Sequence, residues 1–106
     1  MKLLRYGPPG REKPGVLDAE GRLRDLSSVV ADLTPSELSP SGLARLRAID
    51  PATLPLVPGD VRHGVPVAGI GKFLAIGLNY ADHAAEAGLP APAEPIFFTK
   101  AISCLN

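Results

Sequence analysis

Residues 51–71 read PATLPLVPGDVRHGVPVAGIG, and this stretch limits the fold more than any other part of the chain. Each proline fixes φ and removes a backbone N–H, and the glycines add freedom that regular elements do not use, so no helix and no central strand runs through it. An extended linker with short strand pieces is what such a composition allows. The chain is therefore expected to divide into a small N-terminal domain over 1–58, a linker over 59–71 and a second unit over 72–106. Twelve Pro and eleven Gly make up over a fifth of the 106 residues, so much of the remainder is expected to be loop.

Before the linker, residues 2–6 alternate weakly and end at the turn cluster GPPGREKPG, and GVLDAEGRLRDLS then reads as a hairpin turning near Ala19 to Gly21. Two helix starts compete in DLTPSELSPSGLARLRAIDP. Thr34 with Glu37 and Pro35 forms a capping-box pattern, and Ser39 or Ser41 offers a second start. Leu43, Leu46 and Ile49 recur at helical spacing, which predicts a short amphipathic helix over about 41–49, stopped by Pro51. After the linker come KFLAIGL, which reads as a buried strand, the short helix YADHAAEAG closed by Gly88, the loop LPAPAEP and a second apolar run, IFFTKAIS. The fold class expected is mainly β with short α elements, an α+β chain.

Charge narrows the partners. Eleven basic and eleven acidic residues cancel, so there is no electrostatic footprint for nucleic acid or an anionic membrane. Cys104 is the sole cysteine, which excludes an intrachain disulfide and a zinc-binding pattern. The opening MKLLRYGPPG lacks an apolar stretch of signal-peptide length, and no apolar run is long enough to span a bilayer. A soluble, cytoplasmic protein is expected.

The candidate chemistry lies in KFLAIGLNYADHAAEAG, residues 72–88. On a helix, His83 and Glu86 share a face, as do Asp82 and Glu86. A carboxylate beside an imidazole stabilises the imidazolium and fixes which ring nitrogen is free to take a proton, as a general base requires. The same spacing also occurs as a solvated surface pair worth a few tenths of a kcal/mol. Asn79 and Tyr80 follow Gly77, where they either donate hydrogen bonds into a cleft or serve as turn residues. Lys100 closes an apolar strand as a solvated cap or as a partner for a substrate carboxylate. His63 lies beside Arg62 in the linker with no partner in sequence. The glycines of GIGKFLAIG do not follow a strand and open a helix as a dinucleotide site needs, and no neighbour in sequence activates Cys104.

Taken together, Gly77, Asn79, Tyr80, His83, Glu86 and Lys100 carry a resemblance. The stretch KFLAIGLNYADHAAEAGLPAPAEPIFFTKAIS resembles the segment that opens the catalytic domain of the fumarylacetoacetate hydrolase superfamily, and residues 1–30 resemble the small leading domain of its bacterial members. The resemblance implies that 72–106 is the start of a coiled β-fold catalytic domain, truncated here. It implies that His83 and Glu86 are catalytic and activate a water, with Lys100, Asn79 and Tyr80 on the substrate side. The reaction implied is cleavage of a carbon–carbon bond in a 2,4-dioxo acid of acylpyruvate or fumarylacetoacetate type, with a small-molecule oxo acid as partner, in a homodimer. Isomerase, decarboxylase and ureidoglycolate lyase activities attach to similar sequences. A Mg2+ or Mn2+ ion is implied for the complete enzyme, but its Glu-x-Glu pair has no counterpart in this chain, so no metal ligand is assigned. The expectation is an N-terminal portion of a longer enzyme, inactive alone; the alternative is a non-catalytic folding or assembly module, or a truncated gene product.

Overall fold

The computed structural model describes residues 1–105 and divides them into two units, Met1–Gly69 and Ile70–Leu105. Both follow from local sequence. In the first, β1 (Lys2–Tyr6), β2 (Lys13–Leu17) and β3 (Leu23–Asp25) form an antiparallel sheet in the order β1-β2-β3. Asp18 sets the β2–β3 turn: its carboxylate accepts from the backbone N–H groups of Glu20 and Arg22, while Gly21 supplies a φ of 76°. The turn falls where the hairpin pattern places it.

Pro14 sits in the central strand, which a proline normally disrupts. Its carbonyl accepts from Leu26 N–H at 3.0 Å, so its ring nitrogen faces the same side, beyond the end of β3 at Asp25, and no ladder bond is lost. The neighbouring Gly15 is equally constrained. A Cβ there would stand 2.6 Å from Leu23 Cδ1 and 3.1 Å from the Tyr6 ring, so only glycine lets those side chains close over the strand.

Helix α1 (Pro40–Arg47) starts at the second of the two candidate sites. Ser39 is the N-cap, accepting from Gly42 N–H at 3.2 Å, and Pro40 takes the first helical position. The capping box expected at Thr34 does not form a helix start: residues 35–38 make one turn, and Glu37 pairs with Arg45 instead of reaching back to Thr34. Leu46 of α1 packs with Val16, Leu26, Val30 and Leu54 into the core of this unit, with Leu3 and Ile49 against its border. Each such buried aliphatic side chain contributes about 2 kcal/mol by leaving water.

The proline-rich stretch is extended, as its composition demands, and it closes the sheet on both sides. After a 3-10 turn at Pro51–Thr53, Pro55 O accepts from Asp25 N–H at 2.9 Å and Val57 N–H reaches Leu23 O at 2.9 Å, lining the open edge of β3. Residues 59–69, set out above as linker, then run along β1: Gly7 N–H donates to Arg62 O and Gly64 N–H to Arg5 O, at 2.9 and 2.8 Å. The proline-rich stretch thus pairs sheet edges that would otherwise stay open to other chains.

The second unit holds β4 (Phe73–Gly77), α2 (Ala81–Glu86) and β5 (Ile96–Lys100), with β4 and β5 paired antiparallel from Phe73↔Lys100 to Gly77↔Ile96. Here one expectation fails. KFLAIGL reads as a buried strand, yet Leu74 and Ile76 of β4 are 46% and 43% exposed, and Phe97 of β5 is 62% exposed. Apolar composition creates a demand for cover without supplying the layer that provides it, and among the described residues that face of the ladder has none. The architecture is mixed α+β: mostly strands, two short helices and two small sheets. No described helix is long and apolar enough to cross a membrane.

Two measurements test this account. A Cβ at position 42 would lie 2.3 Å from Glu37 O, so Gly42→Ala, normally stabilising in a helix by about 1 kcal/mol, is expected to destabilise by a similar amount or more in urea unfolding. Burial pushes the Asp18 carboxyl up, but the Arg22 N–H and the Arg24 and Arg22 guanidinium groups outweigh it and hold the group down to about 2. Burial and the Asp25 carboxylate push the Tyr6 phenol up to about 12. The carboxylate therefore contributes stability above its unfolded pKa of 3.8 that is lost as pH falls toward about 2. The phenol contributes stability below its unfolded value of 10.0 that is lost as pH rises toward about 12. Unfolding midpoints across pH should show both limbs, with Asp18→Asn flattening the acid one and Tyr6→Phe the alkaline one.

Candidate functional site

Three residues separate the end of β4 from the start of α2, and the backbone there is unusual. Leu78 has φ 49°, the only non-glycine residue in the left-handed region among those described. For a side chain with a Cβ this conformation costs about 1–2 kcal/mol, so surrounding structure must hold it. The bend turns the chain out of the ladder and sets Asn79 and Tyr80 between strand and helix. Tyr80 is the N-cap, without a side-chain cap bond, and Asp82 in the first turn accepts from His83 N–H at 2.8 Å.

The far end of α2 closes by a Schellman motif. Gly88, at φ 66°, lets its own N–H reach Ala85 O and the Leu89 N–H reach Ala84 O, both at 3.0 Å. Ala84 is buried, which fixes the inward face of the helix. His83 and Glu86 stand on the solvent side, with His83 Nδ1 4.0 Å from Glu86 Oε2 and side chains 63% and 81% exposed. At that exposure the pair adds little to stability. Its chemical capacity is different: an imidazole whose Nδ1–H closes on such a carboxylate leaves Nε2 as the acceptor that general-base chemistry uses.

Beside this exit lies an open groove of ≈ 480 Å³. Ile76, Leu78, Asn79 and Ala81 form one wall and residues 91–95, including Glu94, the other. Asn79 is thus the residue of the expected set that lines the groove. Tyr80 is 70% exposed and lies outside its lining. Lys100 is not brought to the pair: it stands opposite Phe73, four ladder positions from Gly77 and so roughly 13 Å along the strands, with Nζ 5.8 Å above the Phe73 ring. His63 lies in the first unit, bridged to Tyr6. Cys104 is exposed.

Sequence reasoning passed over Leu78 and Glu94. Leucine carries no turn signal, so nothing local announces its left-handed backbone, whereas Glu94 could have been noted as the lone carboxylate in LPAPAEP. As for a cation, among the described residues no three His, Cys, Asp or Glu side chains gather closely enough to hold a metal ion.

No protein-family model matches the chain. It is similar to Burkholderia proteins named "putative hydrolase": 70% identical over 100 residues to one from Burkholderia cenocepacia, 69% to one from Burkholderia multivorans and 68% to one from Burkholderia ambifaria. In each case 94% of this chain is matched, but it spans 36% of the relative's length. The likeness is to part of proteins that carry that name.

The left-handed exit yields a prediction. Leu78→Val places a β-branched residue where even leucine is strained and should lower amide-exchange protection in α2 about tenfold, equivalent to about 1.4 kcal/mol, whereas Leu78→Gly should preserve or raise it. Equal protection in the two variants would mean that the backbone at this exit is not held left-handed.

Proposed function

We propose that this chain is the dyad-bearing part of a hydrolase that cleaves a carbon–carbon bond in a 2,4-dioxo acid of acylpyruvate or fumarylacetoacetate type. The observation that carries the reading is His83 Nδ1 at 4.0 Å from Glu86 Oε2, on a helix that opens at a strained strand exit beside a groove. Its similarity to proteins named as hydrolases supports the broad reaction class.

In this proposal Glu86 orients the imidazole, and His83 Nε2 accepts a proton from water as the oxygen attacks the distal carbonyl of the substrate. The bond between that carbonyl carbon and its neighbouring methylene carbon breaks, and the electron pair leaves on the oxo-acid fragment as an enolate. Return of the proton from the imidazolium to that carbon yields two acids and restores the dyad. Asn79, in the groove wall, donates a hydrogen bond to a substrate oxygen. A Mg2+ or Mn2+ ion belongs to the resemblance, but the residues described here do not form a site for one, so no step is assigned to it.

A second reading has its own support. Leu74, Ile76 and Phe97 present an exposed apolar ladder face, which suits an assembly module that pairs with another chain rather than a catalyst. The two are separated on the natural gene product, whatever its length, by following the enol absorbance of a 2,4-dioxo acid in the presence of Mg2+. The hydrolase reading expects turnover, with His83→Ala lowering kcat about 10²- to 10⁴-fold and Glu86→Gln by less. Absence of turnover, or a His83→Ala protein with unchanged kcat, would favour the assembly module.

A further inference from the structure

The β4–β5 ladder is apolar on both faces, not only on the one that carries Leu74, Ile76 and Phe97. Residues directly opposite in an antiparallel pair point to the same side, so Ile76 and Phe97 share one face, with Leu74 and Thr99 beside them. Phe73, Ala75, Ile96 and Phe98 share the other, and there Ile96 and Phe98 are 45% and 42% exposed. Lys100 stands over the Phe73 ring at one end, which leaves the middle of this second face without charge. Strands that are apolar on both sides belong to sheets covered on both faces, whereas a half-solvated sheet alternates.

Geometry decides what the cover is. The ladder has two strands, so among the described residues each strand also has an outer edge without a partner strand. A second copy seated on one face by a two-fold axis leaves the opposite face bare. If that face made a contact of the same kind, the two would point in opposite directions and propagate an open stack that does not close. A copy added edge to edge lengthens the sheet and covers neither face. What satisfies the ladder is further chain that brings a layer to each side. The Burkholderia relatives have the length for it: this chain spans 36% of each, so nearly two thirds of each relative lies outside the match.

We infer that the β4–β5 ladder is an inner strand pair of a larger sheet, covered on both faces by chain corresponding to the unmatched part of those relatives. The same cover holds the strand from which the Leu78 exit and α2 depart. This inference rests on the likeness to the relatives and on the two apolar faces, not on the reaction proposed above, so absence of dioxo acid turnover leaves it standing.

The test compares the 106-residue chain, the whole Burkholderia cenocepacia relative, and a full-length chimera in which this chain replaces the matched 100 residues of that relative. Amides of β4 and β5 are expected to exchange at least about a hundredfold more slowly in the relative and the chimera than in the 106-residue chain, at every protein concentration. Leu74→Asp and Phe98→Asp, one on each face, should each lower the urea midpoint of the chimera and leave that of the 106-residue chain unchanged, where both side chains are exposed. Ladder amides that exchange equally fast in the whole relative would overturn the inference. So would protection that appears only as concentration rises, which would assign the cover to a second copy, or a chimera sensitive to one of the two substitutions alone. The exchange result is read on the unaltered relative even if the chimera fails to fold.

Discussion

One guanidinium joins the parts of the first unit that its strands leave separate. Arg5 grips Asp32 through Nε and Nη2 at 2.7 and 2.9 Å, reaches Val65 O at 3.3 Å, and stands 3.7 Å from Glu12. Glu12 in turn accepts from Arg62 at 3.0 Å, and Arg62 also donates to Gly7 O. The Arg5 and Glu12 side chains are 12% and 9% exposed, so these are charges largely withdrawn from water, tolerable because each has a bidentate or shared partner. Asp32 responds accordingly: burial pushes its carboxyl up, yet Arg5 and the Leu33 N–H hold it below the ordinary carboxylate range. Through this cluster β1, the loop that follows it, residue 32 and the 62–65 segment become one body.

That cluster explains how a stretch so rich in proline contributes to order. Residues 55–57 and 62–64 each lie against a sheet edge and place one C=O and one N–H in hydrogen bonds to it. Gly64 permits the approach, since a Cβ would meet Glu12 Cγ at 2.7 Å. Among its described residues the second unit has no equivalent device. Its two strands satisfy each other on one side only, and Leu74, Ile76 and Phe97 remain in solvent, so the surface most in need of cover lies on the element that leads into the candidate site. A hydrolase and an assembly module make the same demand there, that something else pack on the ladder.

Much of this was legible in the residues because the relevant physics is short-ranged. Asp18 and Gly21 fix the hairpin turn from within a few positions, and Gly88 closes α2 by its own φ. The His83–Glu86 pair is a matter of helical spacing and is legible in the residues alone. Where two local signals competed, sequence alone did not choose: Thr34 and Ser39 both resemble N-caps, and in the fold Glu37 pairs with Arg45 while Gly42, lacking a Cβ, leaves room for the Glu37 carbonyl. The apolar run of β4 reads as buried and stands exposed for the same reason, since burial depends on a second layer that no window of residues contains.

Sequence by itself therefore determined the β2–β3 turn, the closure of α2 at Gly88 and the spacing that puts His83 and Glu86 on one helix face, because each depends on backbone geometry within about four residues. Only the tertiary structure decided that residues 55–57 and 62–64 cover the edges of the first sheet, that Leu78 is held left-handed at the strand exit, and that Asn79 shares a groove with residues 91–95 while Lys100 stands at the opposite end of the ladder. These are meetings of residues far apart in the chain, and their energies come from burial and pairing that exist only once the backbone has closed on itself.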